Sequence, residues 1–322
     1  MSISELRAPS HVPLVHVMRS GMVESVHYGS VVVVAPDGAT RFSAGDGAAA
    51  CYPRSSLKPV QATAMVRAGL DLPPDLLALV AASHSGERIH LEGVRRILAR
   101  HGLAEDDLRN TPAYPLSSKA RNAWIRAGRG VERISQNCSG KHSGMLATAQ
   151  TNGWCTVDYL DPDHPLQKEI ARTVEELSGE SIAHVAVDGC GAPLFALSLT
   201  GLTRAVSKVA AAQADSAEGR VADAIRRHPE MLGGTDRPVT RLIKAVPGLI
   251  AKDGAEGVFV AALPDGTAVG VKIADGAARA RVKVAAAALA LFGVDTDLLA
   301  PFFDGAPGTV ADGIELVEQL VA

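Results

Sequence analysis

Two β-hairpin patterns lie near opposite ends of this chain, and they constrain its fold more than any other feature. Each consists of an apolar run, the turn sequence Pro-Asp-Gly and a second extended run, at residues 29–45 and 257–276. This pattern is typical of two antiparallel strands joined by a tight turn. The sequence therefore predicts one antiparallel sheet that brings the two ends of the chain together.

Helical patterns fill most of the chain between and after the hairpins. The predicted helices lie at 55–69, 73–82, 88–101, 118–128, 139–152, 165–178, 216–228, 238–246, 276–292 and 311–321. One further strand is predicted around 183–188, and no internal repeat or linker divides the sequence. We predict an α+β fold, a single two-lobed domain over residues 1–322. Its sheet lobe comprises about 10–55 and 180–322, and its helical lobe about 56–180.

Composition and charge exclude several classes of partner. The 322 residues are 47% hydrophobic and carry a net charge of −3, with lysine and arginine scattered singly. No basic stripe marks a nucleic-acid or membrane surface, and the longest apolar run, at 284–292, is too short to cross a bilayer. The first residues lack a signal-peptide pattern. We expect a cytoplasmic protein whose partner is a small molecule or another subunit.

The stretch YPRSSLKPVQA, residues 52–62, contains a serine three residues before a lysine. If Ser55 is the N-cap of a helix, Pro59 falls in its first turn, where a missing N–H costs nothing. Positions i and i+3 share a helix face, so the Lys58 amine would lie beside the Ser55 hydroxyl. A neutral lysine can activate a serine nucleophile, and the N–H groups at the helix start can stabilise an oxyanion. The alternative is a capping serine followed by a solvated lysine.

Two further segments can be interpreted either as parts of a ligand-binding site or as ordinary structural elements. In AASHSGE, the small polar residues Ser83 and Ser85 follow an apolar run, where they line a cleft or cap the next helix. In the strand AVGVKIADG, Lys272 shares a face with alanines and Gly270. That face has room for a ligand, or it is an open sheet face with an exposed lysine.

The four cysteines are too few and too dispersed for a disulfide scaffold, so we expect free thiols. Cys138 and Cys190 lie in glycine-containing turns. Two thiolates with a third ligand, Lys141 or His142, could hold Zn²⁺ and leave a position open for substrate. The alternative is that buried cysteine acts as a small hydrophobic residue.

Four segments together resemble a known family. RSSLKPVQA, AASHSGE, NCSGKHSGML and VDGCGAP, in this order and spread over nearly the whole chain, resemble the rhizobial-type members of the bacterial L-asparaginase II family. The resemblance implies a homodimeric amidohydrolase that converts L-asparagine to L-aspartate and ammonia. It also implies a fold similar to that of serine β-lactamases, penicillin-binding proteins and serine glutaminases.

The resemblance further implies roles for individual residues. Ser55 matches the nucleophile and Lys58 its base, while Ser83 and Lys272 match a second Ser–Lys tandem. The implied zinc ligands are Cys138, Lys141 and Cys190, and Arg54 and Asp188 fall beside the substrate pocket.

Two departures from the family pattern leave questions open. The sequence ASHSG leaves Ser83 and Ser85 in competition, and the loop at 233–241 matches only loosely, which leaves the choice between asparagine and glutamine open. The rival functions are another Ser–Lys acyl hydrolase, such as a glutaminase or a penicillin-recognising enzyme, and a zinc- or ligand-binding protein without catalysis.

Overall fold

A seven-stranded sheet joins the two ends of the chain in the computed structural model, which describes residues 8–303 and 313–316. Its order is β10-β1-β2-β9-β8-β7, with β3 paired to β2, and every pairing is antiparallel. The strands of this sheet are β1 Val12–Arg19, β2 Met22–Val34, β3 Thr40–Ala44, β7 Ile250–Asp253, β8 Val258–Ala262, β9 Ala268–Ile273 and β10 Gly313–Leu316. A smaller sheet, in the order β4-β6-β5, consists of β4 Ala50–Cys51, β5 His184–Val187 and β6 Pro193–Ser198.

Both predicted hairpins are confirmed, and they are neighbours in the sheet. Strands β2 and β3 flank the first Pro-Asp-Gly turn, and β8 and β9 flank the second. Strand β2 pairs directly with β9, with Val31 opposite Val271. The predicted strand around 183–188 is confirmed as β5.

Most predicted helices are present within a few residues of their expected limits. The helices are α1 Lys58–Arg67, α2 Pro74–Val80, α3 Arg88–Arg100, α4 Ser118–Arg126, α5 Ser139–Thr151, α6 Pro165–Ser178, α7 Leu199–Ala211, α8 Ala217–Arg227, α9 Pro229–Leu232, α10 Pro238–Ala245, α11 Ala278–Leu291 and α12 Thr296–Leu299. None of these helices has both the length and the apolar character needed to cross a membrane.

Two differences from the predicted elements have simple causes. The helix predicted at 311–321 is wrong over Gly313–Leu316, which pair with β1 as strand β10, and the rest of that segment lies outside the described residues. Helix α7 was not predicted, although Ser198 caps it and Leu199, Leu202 and Val209 bury one of its faces. Those residues follow a helical period, so the signal was present in the sequence.

Helices cover both faces of the large sheet. Helix α7 and helix α11 each pack against β2, β8 and β9, and β8 is buried along its whole length. Helices α1, α2, α5, α6 and α8 pack against one another beside this sheet, and α8 also contacts α7. The predicted α+β class is thus confirmed, while the proposed division into two lobes stays a prediction.

Candidate active site

The turn that carries Ser55 is sharply bent. Arg54 has a φ of +51°, which L-residues seldom adopt, and residues Arg54–Leu57 form a 3₁₀ turn before α1 begins at Lys58. Pro59 lies in the first turn of α1, as predicted. The Ser55 hydroxyl caps neither helix, because both N-caps lack a side-chain hydrogen bond. The capping alternative for Ser55 is therefore wrong.

Lys58 is buried, with 1% of its surface exposed, so it is no solvated lysine. Its Nζ lies 2.5 Å from the Ala82 carbonyl oxygen, 3.1 Å from Ser83 Oγ and 3.0 Å from Cys138 Sγ. Within the described residues its amine makes no hydrogen bond to Ser55, so the expected contact of these two side chains is absent. Lys58 instead joins α1 to the Ser83 segment and to the cysteine turn.

The structure separates Ser83 from Ser85. Ser83 borders the same cleft as Ser55 and bonds Lys58, whereas the Ser85 hydroxyl donates to Glu87 Oε1 at 2.5 Å. Glu87 also accepts from the backbone N–H and the hydroxyl of Thr235. Of the two competing serines, Ser83 is the one beside the predicted base.

The Lys272 amine makes no hydrogen bond to Ser83 in the part of the chain that the structure describes. Its Nζ donates to the Glu256 and Ile273 carbonyl oxygens, at 2.5 and 2.9 Å. The small-residue face of β9 is covered by α7, since a Cβ on Gly270 would lie 2.1 Å from Thr203 Oγ1. The space inferred for a ligand on that face is filled by the helix, and the catalytic role of Lys272 stays a prediction.

Another buried lysine near the site was missed in the sequence. Lys252 is the penultimate residue of β7 and has none of its surface exposed, and its Nζ donates to Asp253 Oδ1 at 2.8 Å. Burial lowers the pKa of Lys252 to about 8; Asp253 opposes this shift, and the charge of Lys58 adds to it. The available signal was a lysine and an aspartate inside the otherwise apolar strand of IAKDG.

Asp253 is a carboxylate held by three cations. Besides Lys252, it accepts hydrogen bonds from Arg237 and from Arg281 Nη2, the latter at 2.8 Å. Burial alone would raise the pKa of Asp253, but these three cations hold it well below its usual range. The carboxylate is therefore ionised at neutral pH.

The predicted metal-binding residues lie together beside this site. A hydrogen bond between the two thiols, together with burial, raises the pKa of Cys138 to about 12. The same bond holds the pKa of Cys190 well below its usual range, and the Lys141 ammonium adds to this effect. Lys141 Nζ is 3.4 Å from Cys190 Sγ, whereas His142 Nδ1 is paired with the Tyr159 hydroxyl at 2.9 Å. Of the two proposed third ligands, Lys141 is the one beside the thiols.

This donor set suits zinc. Two cysteines can supply soft thiolate ligands once their thiols lose their protons, and Lys141 can add a nitrogen once its amine does. Among the described residues, no three histidine, cysteine, aspartate or glutamate side chains are grouped to hold a metal ion. A zinc ion at the two cysteines would therefore depend on Lys141.

A cleft of about 740 Å³ lies at this site. Arg54 and Asp188 form its wall and pair through Arg54 Nε and Asp188 Oδ1 at 2.8 Å. Burial alone would raise the pKa of Asp188, but the charges of Lys141 and Arg54 lower it. The predicted site residues that border the cleft are Arg54, Ser55, Ser83, Cys138, Asp188 and Cys190. A larger cavity of about 970 Å³ lies beside Ser85 and Glu87, and Ser85 is the only one of the candidate site residues in its lining.

A comparison with known families now places this chain. The model of the L-asparaginase II family matches residues 15–306. The chain belongs to the L-asparaginase II family. The resemblance noted in the sequence is confirmed, and the cleft described above is the candidate active site of a family member.

Solved structures give more distant likenesses to this chain. Mglu in its native form in 4.3 M NaCl is 14% identical, with a TM-score of 0.43 over 79% of this chain and 58% of Mglu. A β-lactamase from Mycobacterium bovis is 16% identical, with a TM-score of 0.44 over 85% of this chain and 94% of its own. The chain spans 58–65% of the length of the first Mglu structures that it matches. None of the curated proteins matches it.

Proposed function

We propose that this protein hydrolyses the side-chain amide of L-asparagine to L-aspartate and ammonia through an acyl-enzyme on Ser55. The observation that carries the proposal is the convergence of Ser55 and Ser83 on one cleft, with the buried Lys58 amine bonded to Ser83. A serine hydroxyl needs a base, and a buried amine is suited to that task. Family membership supports amide hydrolysis as the reaction class.

In this mechanism the Ser55 hydroxyl attacks the amide carbonyl carbon and its proton passes to Lys58. The first N–H groups of the turn donate to the oxyanion. Ser83, in contact with Lys58, carries the proton to the departing nitrogen. The tetrahedral intermediate then collapses, its C–N bond breaks, and ammonia leaves while a β-aspartyl ester remains on Ser55. Water then hydrolyses the ester to release aspartate and regenerate the Ser55 hydroxyl.

Lys252 takes the place that the family resemblance gave to Lys272. Both Lys252 and Lys58 are buried, and their like charges oppose each other. Burial, with this repulsion added, lowers the pKa of Lys252, so Lys252 is the amine that loses its proton first. We therefore assign Lys252 the task of supplying a neutral amine beside the turn of Ser55.

Arg54 and Asp188 are the groups that we propose for binding the amino-acid end of the substrate. Their opposite charges match the carboxylate and ammonium groups of asparagine, and both border the cleft. A bound zinc ion would be held by Cys138, Lys141 and Cys190, where it would supply a positive charge that orients the substrate.

Ammonia release by purified protein from L-asparagine and from L-glutamine tests the proposal. We expect Ser55→Ala to lower kcat about a thousandfold or more, as loss of a serine nucleophile does. Near-normal ammonia release from that variant would contradict the nucleophile assignment. Preference for glutamine, or a stable adduct with a fluorescent penicillin, would favour the corresponding rival enzyme.

Zinc content, oligomeric state and location are separate parts of the proposal. Metal analysis should find zinc in the wild type and less in Cys190→Ser; zinc without turnover of any amide would favour a non-catalytic protein. Sedimentation of the purified protein tests the proposed homodimer, and fractionation of the source cells tests the proposed cytoplasmic location.

A further inference from the structure

Arg281 lies in the first turn of α11 and reaches the end of β7. Its Nη2 donates to Asp253 Oδ2 at 2.8 Å, and its Nη1 donates to the Gly254 carbonyl oxygen. Its Nε is buried and has no partner among the described residues. The guanidinium thus bridges Asp253, the last residue of β7, and Gly254 in the turn after it.

The segment that Arg281 holds lies directly against the turn of Ser55. A Cβ on Gly254 would lie 2.7 Å from the Pro53 carbonyl oxygen and 2.8 Å from Ser56 Oγ. Ser56 Oγ also donates to the Lys252 carbonyl oxygen at 3.3 Å. The backbone after β7 therefore forms the surface on which the residues flanking Ser55 rest.

The same segment sets the position of the Lys252 amine. Asp253 holds Lys252 Nζ through Oδ1 and is itself held by Arg281 through Oδ2. A shift of the Asp253 carboxylate would move both the amine and the Ser55 turn. Arg237 supports the same carboxylate oxygen, but only Arg281 also holds the Gly254 carbonyl oxygen. Two groups with proposed chemical roles thus share a support on α11.

Arg279 offers a contrast on the same helix. It also borders the cleft, but it is exposed, and its Nε donates to His27 Nε2 at 2.7 Å rather than to β7. Removing either arginine takes one positive charge from the cleft, but only the loss of Arg281 removes hydrogen bonds to the end of β7. Comparing variants of the two arginines therefore distinguishes an effect of charge from an effect of position.

We propose that Arg281 is a positioning residue for the amide hydrolysis, which it supports by bracing Asp253 and Gly254 against the turn of Ser55. The inference rests on the proposed function. It assigns no contact with substrate to Arg281.

The test compares Arg281→Met, Arg281→Lys and Arg279→Met with the wild type. Measured for each are kcat and KM for asparagine, the rate at which a fluorophosphonate modifies Ser55, and the melting temperature. We expect Arg281→Met to lower kcat and the labelling rate at least tenfold with KM within about twofold, because small displacements of reacting groups are costly. Arg279→Met should keep kcat and the labelling rate.

Arg281→Lys is the conservative variant, and it keeps the test decisive if Arg281→Met does not fold. It keeps a charge for Asp253 but cannot also reach the Gly254 carbonyl oxygen in the same fork geometry. We expect a melting temperature close to that of the wild type and a kcat between those of the wild type and Arg281→Met. If Arg281→Met does not fold, the kcat of Arg281→Lys decides the role of Arg281. A kcat equal to that of the wild type in Arg281→Lys would then overturn the inference.

Other results would also overturn it. A rise in KM at unchanged kcat in Arg281→Met would make Arg281 a substrate-binding residue, and an equal loss in Arg279→Met would make the effect one of charge. If the wild type is labelled at Ser55 but hydrolyses no amide, the proposed function fails while the labelling rates still decide the role of Arg281. If the wild type is not labelled at Ser55, the inference fails, and ammonia release separately decides the amidase activity.

Discussion

Strands β7 and β9 belong to the same sheet and each carries one lysine near its end, yet the two lysines have different surroundings. Lys252 on β7 is fully buried and bonded to a carboxylate, whereas Lys272 on β9 is half-buried and bonded to two backbone carbonyls. Strand β7 leads into Gly254, against the turn of Ser55, and the small-residue face of β9 lies under α7. The role of a strand lysine thus depends on which element packs against it, which its spacing in the strand does not reveal.

Exchanging each lysine for methionine tests this contrast most directly. We expect Lys252→Met to lower kcat for ammonia release by about 10²–10⁴, the usual range for a group that takes part in proton transfer. Lys272→Met should keep kcat within about threefold, because its amine bonds only backbone carbonyls. Equal losses of kcat in the two variants, at matched melting temperatures, would show that Lys272 takes part in catalysis.

The serines of AASHSGE allow a second matched comparison. Ser83→Ala removes the hydroxyl bonded to Lys58 and should lower kcat about a hundredfold. Ser85→Ala removes only a bond to Glu87, so kcat should stay near that of the wild type. The reverse order of the two kcat values would transfer the proposed proton relay to Ser85.

Glycine-to-alanine changes on the two strands should separate activity from stability. The Cβ of Gly254→Ala would displace the turn of Ser55, and we expect kcat to fall about tenfold. The Cβ of Gly270→Ala would collide with Thr203 on α7, so the main effect should be a loss of stability of about 1–3 kcal/mol. Chemical denaturation and ammonia release measure the two quantities, and loss of kcat alone in Gly270→Ala would contradict this division.

The dependence of kcat/KM and of stability on pH should also distinguish Lys252 from Lys272, although the expected effect is smaller than that of the substitutions above. Burial lowers the pKa of Lys252 to about 8, so kcat/KM should rise with pH through that value as one buried amine becomes neutral. The unfolded chain binds a proton at this lysine up to its ordinary, higher pKa, so stability should also rise between pH 8 and that value. The slope is at most about 1.4 kcal/mol per pH unit for one group.

Lys252→Met should remove both rises in pH dependence, because it removes the titrating amine. The groups facing that amine are Asp253, Lys58 and Arg237, and only their charges should then shape what remains of the profile. Pairs of rate and denaturation measurements from pH 6 upward in the wild type, Lys252→Met and Lys272→Met check this. A rise that persists unchanged in Lys252→Met would assign it to another group.

Local sequence patterns were sufficient to predict much of the fold, and they also indicated Ser55, Lys58 and the two cysteines of the site. The two Pro-Asp-Gly hairpins and most helix limits follow from periodicity and turn chemistry over short stretches. Strand β10 was missed because its pairing with β1 joins residues almost 300 positions apart. Such long-range pairing overrides the helical preference of the segment.

The sequence by itself determined that Ser55 stands at a helix start, that Lys58 follows it three residues later, and that two glycine-flanked cysteines accompany them. The tertiary structure alone decided where the Lys58 amine bonds, that Ser83 rather than Ser85 faces it, and that Lys252 is buried where the charge of Lys58 lowers its pKa. The reason is physical: residue spacing fixes the face of a helix or strand on which a side chain stands. Burial, charge and bonding partners depend on the elements that pack against that face.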